Sequence, residues 1–173
     1  MKKFIVILTL IIVFFIYKEV NKEEIIIPDT AIRLRVIPNS NSALDQNIKL
    51  KVKEHLEENT YKLLKNTSSI EEARMLIKEN IPTLEENINT IFLENNYNIP
   101  YKINYGNNYF PEKEYRGITY EEGYYESIVI SIGEAEGDNW WCVLFPNLCL
   151  IDLEKDNDND YKSWVIETIK KYF

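Results

Sequence analysis

The chain is poor in the residues that carry most protein chemistry. Its 173 residues include one histidine, His55, and two cysteines, Cys142 and Cys149. Zinc held by the cysteines would need two further ligands, which one histidine and no third cysteine do not supply, so no metal is expected. A nucleophile with its base would need a convergent serine or cysteine, and no G-x-S-x-G elbow is present. His55 itself falls within one position of an apolar helical stripe, which suits a partly buried structural role. The pairs Glu57-Glu58, Glu71-Glu72, Glu85-Glu86 and Glu121-Glu122 read as solvated faces. Two carboxylates could still form a glycosidase pair, which keeps an extracytoplasmic hydrolase as the alternative reading. The main expectation is no catalytic residues, no enzymatic activity and no cofactor.

Positive charge is short as well. Against 28 acidic residues stand 20 Lys and Arg, for a net charge of −8. Lysines 2, 3, 18 and 22 against glutamates 19, 23 and 24 leave the first 24 residues at +1 and the remainder at −9. Such a body repels phosphate backbones, so no nucleic acid is expected as a partner. Internal repeats are absent. What is plentiful is apolar and aromatic surface, 45% and 13% of residues, ample for the core of one domain with a short extra segment.

That extra segment is at the amino terminus. Met1-Lys2-Lys3 is followed by the 14-residue run Phe4 to Tyr17, apolar throughout except Thr9. As a helix it would reach about 21 Å, short of the roughly 30 Å hydrocarbon layer, which favours an export signal over an ordinary spanning helix. No small-x-small site follows, so a cleaved peptide and an uncleaved anchor both stay open. The expected organisation is 1–20 signal peptide or anchor, 21–30 linker and 31–173 a single domain outside the cytoplasm.

Within that domain Ile32, Leu34 and Val36 alternate with Arg33 and Arg35, the period of a strand with one wet face. Ser42 and Asp45 open a helix whose apolar stripe runs Leu44, Ile48, Val52, Leu56, Leu63. Ser69 and Glu72 open a second, and Pro82 predicts that it breaks or kinks near Ile81. Ile99 to Tyr105 reads as a strand, Gly106-Asn107-Asn108 as a turn, and Phe110 to Tyr120 as an irregular or weakly extended segment. Trp164, Val165, Ile169 and Phe173 predict a terminal helix capped by Asp160. The densest stretch is Tyr124 to Asp152. Ser127–Ile132, Trp140–Phe145 and Leu148–Leu153, separated by Glu134–Asp138 and by Pro146-Asn147, read as a three-stranded meander. The expected fold is therefore α+β: a mixed or mainly antiparallel sheet of four to five strands, with two or three helices packed on one face.

Cys142 and Cys149 lie on either side of the Pro146-Asn147 turn. A disulfide needs Cα atoms within about 7 Å, which register decides, so a bridge and two buried thiols both stay open. Asp156-x-Asp158-x-Asp160 with Glu167 has EF-hand spacing, but Tyr161 stands where glycine is needed and a strand precedes it, which argues against calcium. Consecutive strand residues point to opposite faces, so Trp140 and Trp141 cannot both enter one layer. The stretch Asn139, Trp140, Trp141, Phe145 and Pro146 is the candidate partner surface, since indoles are favoured at hot spots.

Two blocks carry a resemblance. One is Ile32-Arg33-Leu34-Arg35-Val36-Ile37 with Asn39-Ser40 and Asp45-Gln46, running into Lys49-Leu50-Lys51-Val52. The other is Ile130-x-Ile132-Gly133-Glu134, then Gly137-x-Asn139-Trp140-Trp141-Cys142-Val143-Leu144-Phe145-Pro146 and Leu148-Cys149. Over roughly residues 31 to 152 the chain resembles the stage II sporulation protein R family, the second block being the more specific. The family usually has a second proline at Asn147, a glycine at Ala135 and Pro-Ala-Gly at Glu121-Glu122-Gly123, departures that bear on turn geometry. The resemblance implies a protein exported from the forespore into the space between the septal membranes. Its implied partner is a membrane-embedded aspartic-type protease of the mother cell, which it triggers to process pro-sigma E. If the signal is uncleaved, the membrane is a second partner; a purely structural anchored domain is the further alternative.

Overall fold

The strand Ile32–Ile37, β1, has branched residues at alternate positions, and its place in the sheet decides the architecture. The computed structural model describes residues 10–14, 27–115, 118–146, 148 and 158–172. After β1 come helices α1 (Ala43–Leu64) and α2 (Ile70–Glu94), then β2 (Tyr101–Phe110), β3 (Lys113–Tyr115) and β4 (Ile118–Tyr120). The strands β5 (Gly123–Ile132) and β6 (Trp140–Phe145) and the helix α3 (Asp158–Tyr172) complete the order. The main sheet runs β2-β5-β1-β6, and β3 pairs with β4 in a separate short ladder. β1 is parallel to β5, with Leu34 opposite Ile128 and Val36 opposite Ile130. It is antiparallel to β6, with Leu34 opposite Cys142. The protein is thus α+β with a mixed four-stranded sheet.

The meander expected around Tyr124–Asp152 is not what forms. β5 and β6 are not neighbours, because β1 lies between them. Residues 133–139 are a bridge that clears two strand spacings, about 10 Å. The expected return strand Leu148–Leu153 falls, beyond Leu148, outside the described residues. Gly106-Asn107-Asn108 is no turn either: β2 runs straight through it, paired with Ser127, Glu126 and Tyr125. A ladder of ten partners outweighs the turn preference of three residues. The segment expected to be irregular or weakly extended is extended in two short strands, β3 and β4.

Both helices begin as their sequences imply. Ser42 Oγ accepts from Asp45 N at 3.1 Å, and Ser69 Oγ accepts from Glu72 N at 3.2 Å while the Glu72 carboxylate takes the Ser68 amide at 3.1 Å. Pro82 does not split α2, which is one helix of 25 residues with the proline inside. Pro82 is on the exposed face, where the carbonyl it leaves without a partner can meet water, while Ile77, Leu84 and Ile88 stay buried. Leu44, expected on the apolar stripe of α1, is instead exposed.

The two long helices cover one face of the sheet. Ile32, Leu34 and Val36 meet Ile48, Val52, Ile77 and Ile88 there, with Ile128, Ile130 and Ile132 from β5. A second cluster joins Val143 and Ile118 with Tyr161 and Val165 of α3, and includes Ile27 and Ala31. Ile27 therefore packs inside the stretch expected as linker. Covering that second face overturns the wet-face reading of β1: Arg33 is 3% exposed, and Arg35 is half-buried. α3 starts at Asp158, so Asp160 lies within the helix, not at its cap. Among the described residues no helix is long and apolar enough to cross a membrane. Of the expected signal, residues 10–14 are helical and exposed, and 1–9 and 15–20 lie outside the described residues.

Candidate functional site

Two built features stand out, a polar hub at one end of the sheet and an aromatic-walled pocket along β6. The hub is centred on Asp45, 5% exposed, in the first turn of α1. Its carboxylate accepts from Ser40 Oγ at 2.5 Å, Tyr97 OH at 2.5 Å and Asn39 Nδ2 at 3.0 Å. Burial alone would push this carboxyl up, but the hydrogen bonds outweigh it and hold the group at about 2. Burial first, and then the Asp45 carboxylate, push the Tyr97 phenol up. Asn39 Oδ1 accepts from Glu134 N at 3.1 Å, and Asn41 Oδ1 from Asp138 N at 2.6 Å. Lys49 Nζ donates to the Asp138 carbonyl at 2.9 Å. The loop after β1, the start of α1 and the β5–β6 bridge are thereby one unit. Gly137 belongs to it, for a Cβ there would lie 2.3 Å from the Ser40 carbonyl oxygen.

The pocket encloses about 360 Å³. Trp141 and Val143 line it from one face of β6 and Trp140 and Cys142 from the other, so it wraps the outer edge of that strand. Arg33, Phe110, Lys113 and Tyr161 complete its floor and walls. The Arg33 guanidinium carbon lies 3.3 Å from the Tyr125 ring centroid and 5.7 Å from that of Phe110, whose ring meets Trp141 edge-on at 5.2 Å. Burial lowers the Arg33 pKa and raises that of the Tyr120 phenol, which also feels Tyr161 beside it. Arg35 stacks over Trp141 at 4.3 Å. Oriented with its oxygen toward that strand, the Asn139 amide accepts from Arg35 Nε at 3.1 Å and Nη2 at 2.7 Å.

Of the residues singled out for a partner, Asn139, Trp140 and Trp141 reach this pocket. Both indoles are half-buried and point to opposite faces, Trp140 toward Lys53 of α1 at 5.8 Å and Trp141 toward Phe110. Phe145 and Pro146 are buried, Phe145 edge-on to Tyr172 at 5.0 Å. Cys142 is half-buried and disulfide-bonded; Cys149 lies outside the described residues. His55 is half-buried, its Nε2 buried without a hydrogen-bond partner. Glu57, expected on a solvated face, is buried beside the pocket with Lys53 at 3.3 Å. No three of His, Cys, Asp and Glu come together as a metal site among the described residues. Phe110, Tyr120 and Tyr161 were not singled out by sequence as site residues, and Arg33 only with Arg35 as an expected wet face. The signal for Arg33 was present, an arginine amid branched apolar residues, but alternation alone assigns it to water.

The fold is thus an α+β domain whose built features, among the described residues, are a hydrogen-bonded hub and an aromatic pocket on an edge strand. The family model described as stage II sporulation protein R matches residues 28–155. The chain is 36% identical over 130 residues to the stage II sporulation protein R of Bacillus subtilis (strain 168), covering 75% of this chain and 58% of that protein. It is a member of the stage II sporulation protein R family. No solved structure matches it.

Proposed function

We propose that the protein is an exported sporulation signal that triggers a membrane-embedded aspartic-type protease of the mother cell to process pro-sigma E. The carrying observation is the family match over residues 28–155, which spans the hub and most of the pocket. Residues 1–20 act as its export signal or anchor, and the body works in the space between the septal membranes. The contact surface is the segment from Asn139 to Cys149, held in shape by a Cys142–Cys149 bridge. Trp140 and Trp141 serve it differently because they leave β6 on opposite faces.

Two variants made in sporulating cells, with pro-sigma E processing followed by immunoblot, test this. Deleting residues 2–20 keeps the protein in the forespore and abolishes processing; normal processing from that variant overturns the export reading. Trp140→Ala removes a side chain packed on the helix-face cluster and lowers stability by about 3 kcal/mol. Trp141→Ala lowers processing more than tenfold, with a smaller loss of stability. Equal stability loss in both, or a stable Trp141→Ala that signals normally, removes this surface from the contact.

A further inference from the structure

The pocket along β6 holds a buried charge that has no anion in ion-pair contact among the described residues. Arg33 is 3% exposed, lines the cavity, and has a buried Nε with no hydrogen-bond partner. Among the described residues no carboxylate forms an ion pair with it; Asp29 bears on it only through space. The contrast with its neighbours is sharp. Arg74 Nε donates to both oxygens of Glu126, at 3.1 and 2.8 Å, and Arg35 has the Asn139 amide. Tyr125 and Phe110 cover the face of the Arg33 guanidinium, and although the Tyr125 hydroxyl also bears on the cation as a hydrogen-bond partner, the buried Nε keeps none.

We infer that this pocket binds a carboxylate carried on an apolar or aromatic body, with Arg33 as its in-plane partner. An uncompensated buried guanidinium is costly, and a planar fork of N–H donors is matched best by a carboxylate. Exposed Lys113 adds a second positive charge at the mouth, against Glu57, which Lys53 neutralises. One free guanidinium edge suits a monoanion better than a phosphate dianion. Phe110, Trp141 and Val143 supply the apolar wall, and about 360 Å³ lies within the range of small-ligand sites. The pocket shares Trp141 with the contact surface proposed above, but its test needs no protease.

The experiment uses the purified full chain with N-acetyl-phenylalanine, its uncharged amide and inorganic phosphate as probes, read by tryptophan emission and by NMR. The acid binds saturably and at least tenfold more tightly than the amide, and phosphate does not displace it. Arg33→Met, which replaces a buried charge by an apolar side chain of similar length, loses the acid-over-amide preference while its urea midpoint stays level or rises. Lys113→Ala, at an exposed position, weakens the acid two- to fivefold. Equal binding of acid and amide, or no saturable binding of the acid at 20 millimolar (about 2 kcal/mol of affinity), overturns the assignment, as does displacement of the acid by an equal concentration of phosphate. Should Arg33→Met fail to fold, the acid-to-amide comparison on the unaltered chain and the Lys113→Ala result still decide.

Discussion

Replacing Asp45 by asparagine tests whether the hub holds the domain's three loops together. The ionised carboxylate receives Ser40 Oγ, Tyr97 OH and Asn39 Nδ2 in a nearly closed site. Its folded value of about 2 against an ordinary 3.8 corresponds to roughly 2.5 kcal/mol at neutral pH. Asparagine keeps one acceptor but turns an NH₂ toward donors, and a buried donor without a partner costs a further 1–3 kcal/mol or so. The expected loss at pH 7 is about 4 kcal/mol, measured by urea unfolding. Because the folded pKa is depressed, this contribution is complete above about pH 4 and disappears as pH falls toward 2. At pH 3 the unfolded chain is mostly protonated at this site and the folded protein mostly is not. About half the linked stabilisation remains there, so the gap between the two proteins narrows by about 1 kcal/mol. The amide of the Asp45→Asn variant cannot titrate, so the narrowing isolates the Asp45 charge. A gap below about 1 kcal/mol at pH 7, or one identical at both pH values, would refute the hub as a source of stability.

Other perturbations give outcomes of different sign. Gly137→Ala forces a Cβ to within 2.3 Å of the Ser40 carbonyl oxygen and should lower the urea midpoint by the equivalent of about 2 kcal/mol or more. Gly106→Ala, whose Cβ would meet nothing within 4 Å, is the control and should shift stability by less than about 1 kcal/mol. Equal effects at the two positions would show that the bridge yields to the intruding atom. Pro82→Ala should stabilise by about 1–3 kcal/mol, since proline in an exposed helix interior is that unfavourable relative to alanine. No gain would mean that the helix is already distorted there.

How far the sequence alone carried the structure depends on the range of the interaction that decides each feature. Ser42, Ser69 and the apolar stripes placed α1 and α2 because caps and helical faces are written within four residues of one another. Alternation placed β1, and the Trp140-Trp141 pair implied opposite faces, both from the two-residue period of a strand. The blocks around Asn39-Ser40, Asp45-Gln46 and Gly133 to Trp141 pointed to the family, and the fold shows them meeting in one hub. Their meeting was not legible, since Asn39 and Glu134 are 95 positions apart.

Strand order belongs wholly to the tertiary structure. Hydrophobicity and a polar connection make β5 and β6 look like a hairpin; burial of β1 between them, its branched residues opposite Ile128 and Ile130 on one side and Phe145, Cys142 and Trp140 on the other, decides otherwise. The same step sets the fate of Arg33. Alternation assigns it to water, and it enters the protein because Phe110, Tyr125 and the α3 cluster close over that face. A local pattern can say which residues share a face, but what covers that face is settled by contacts between segments far apart in the chain.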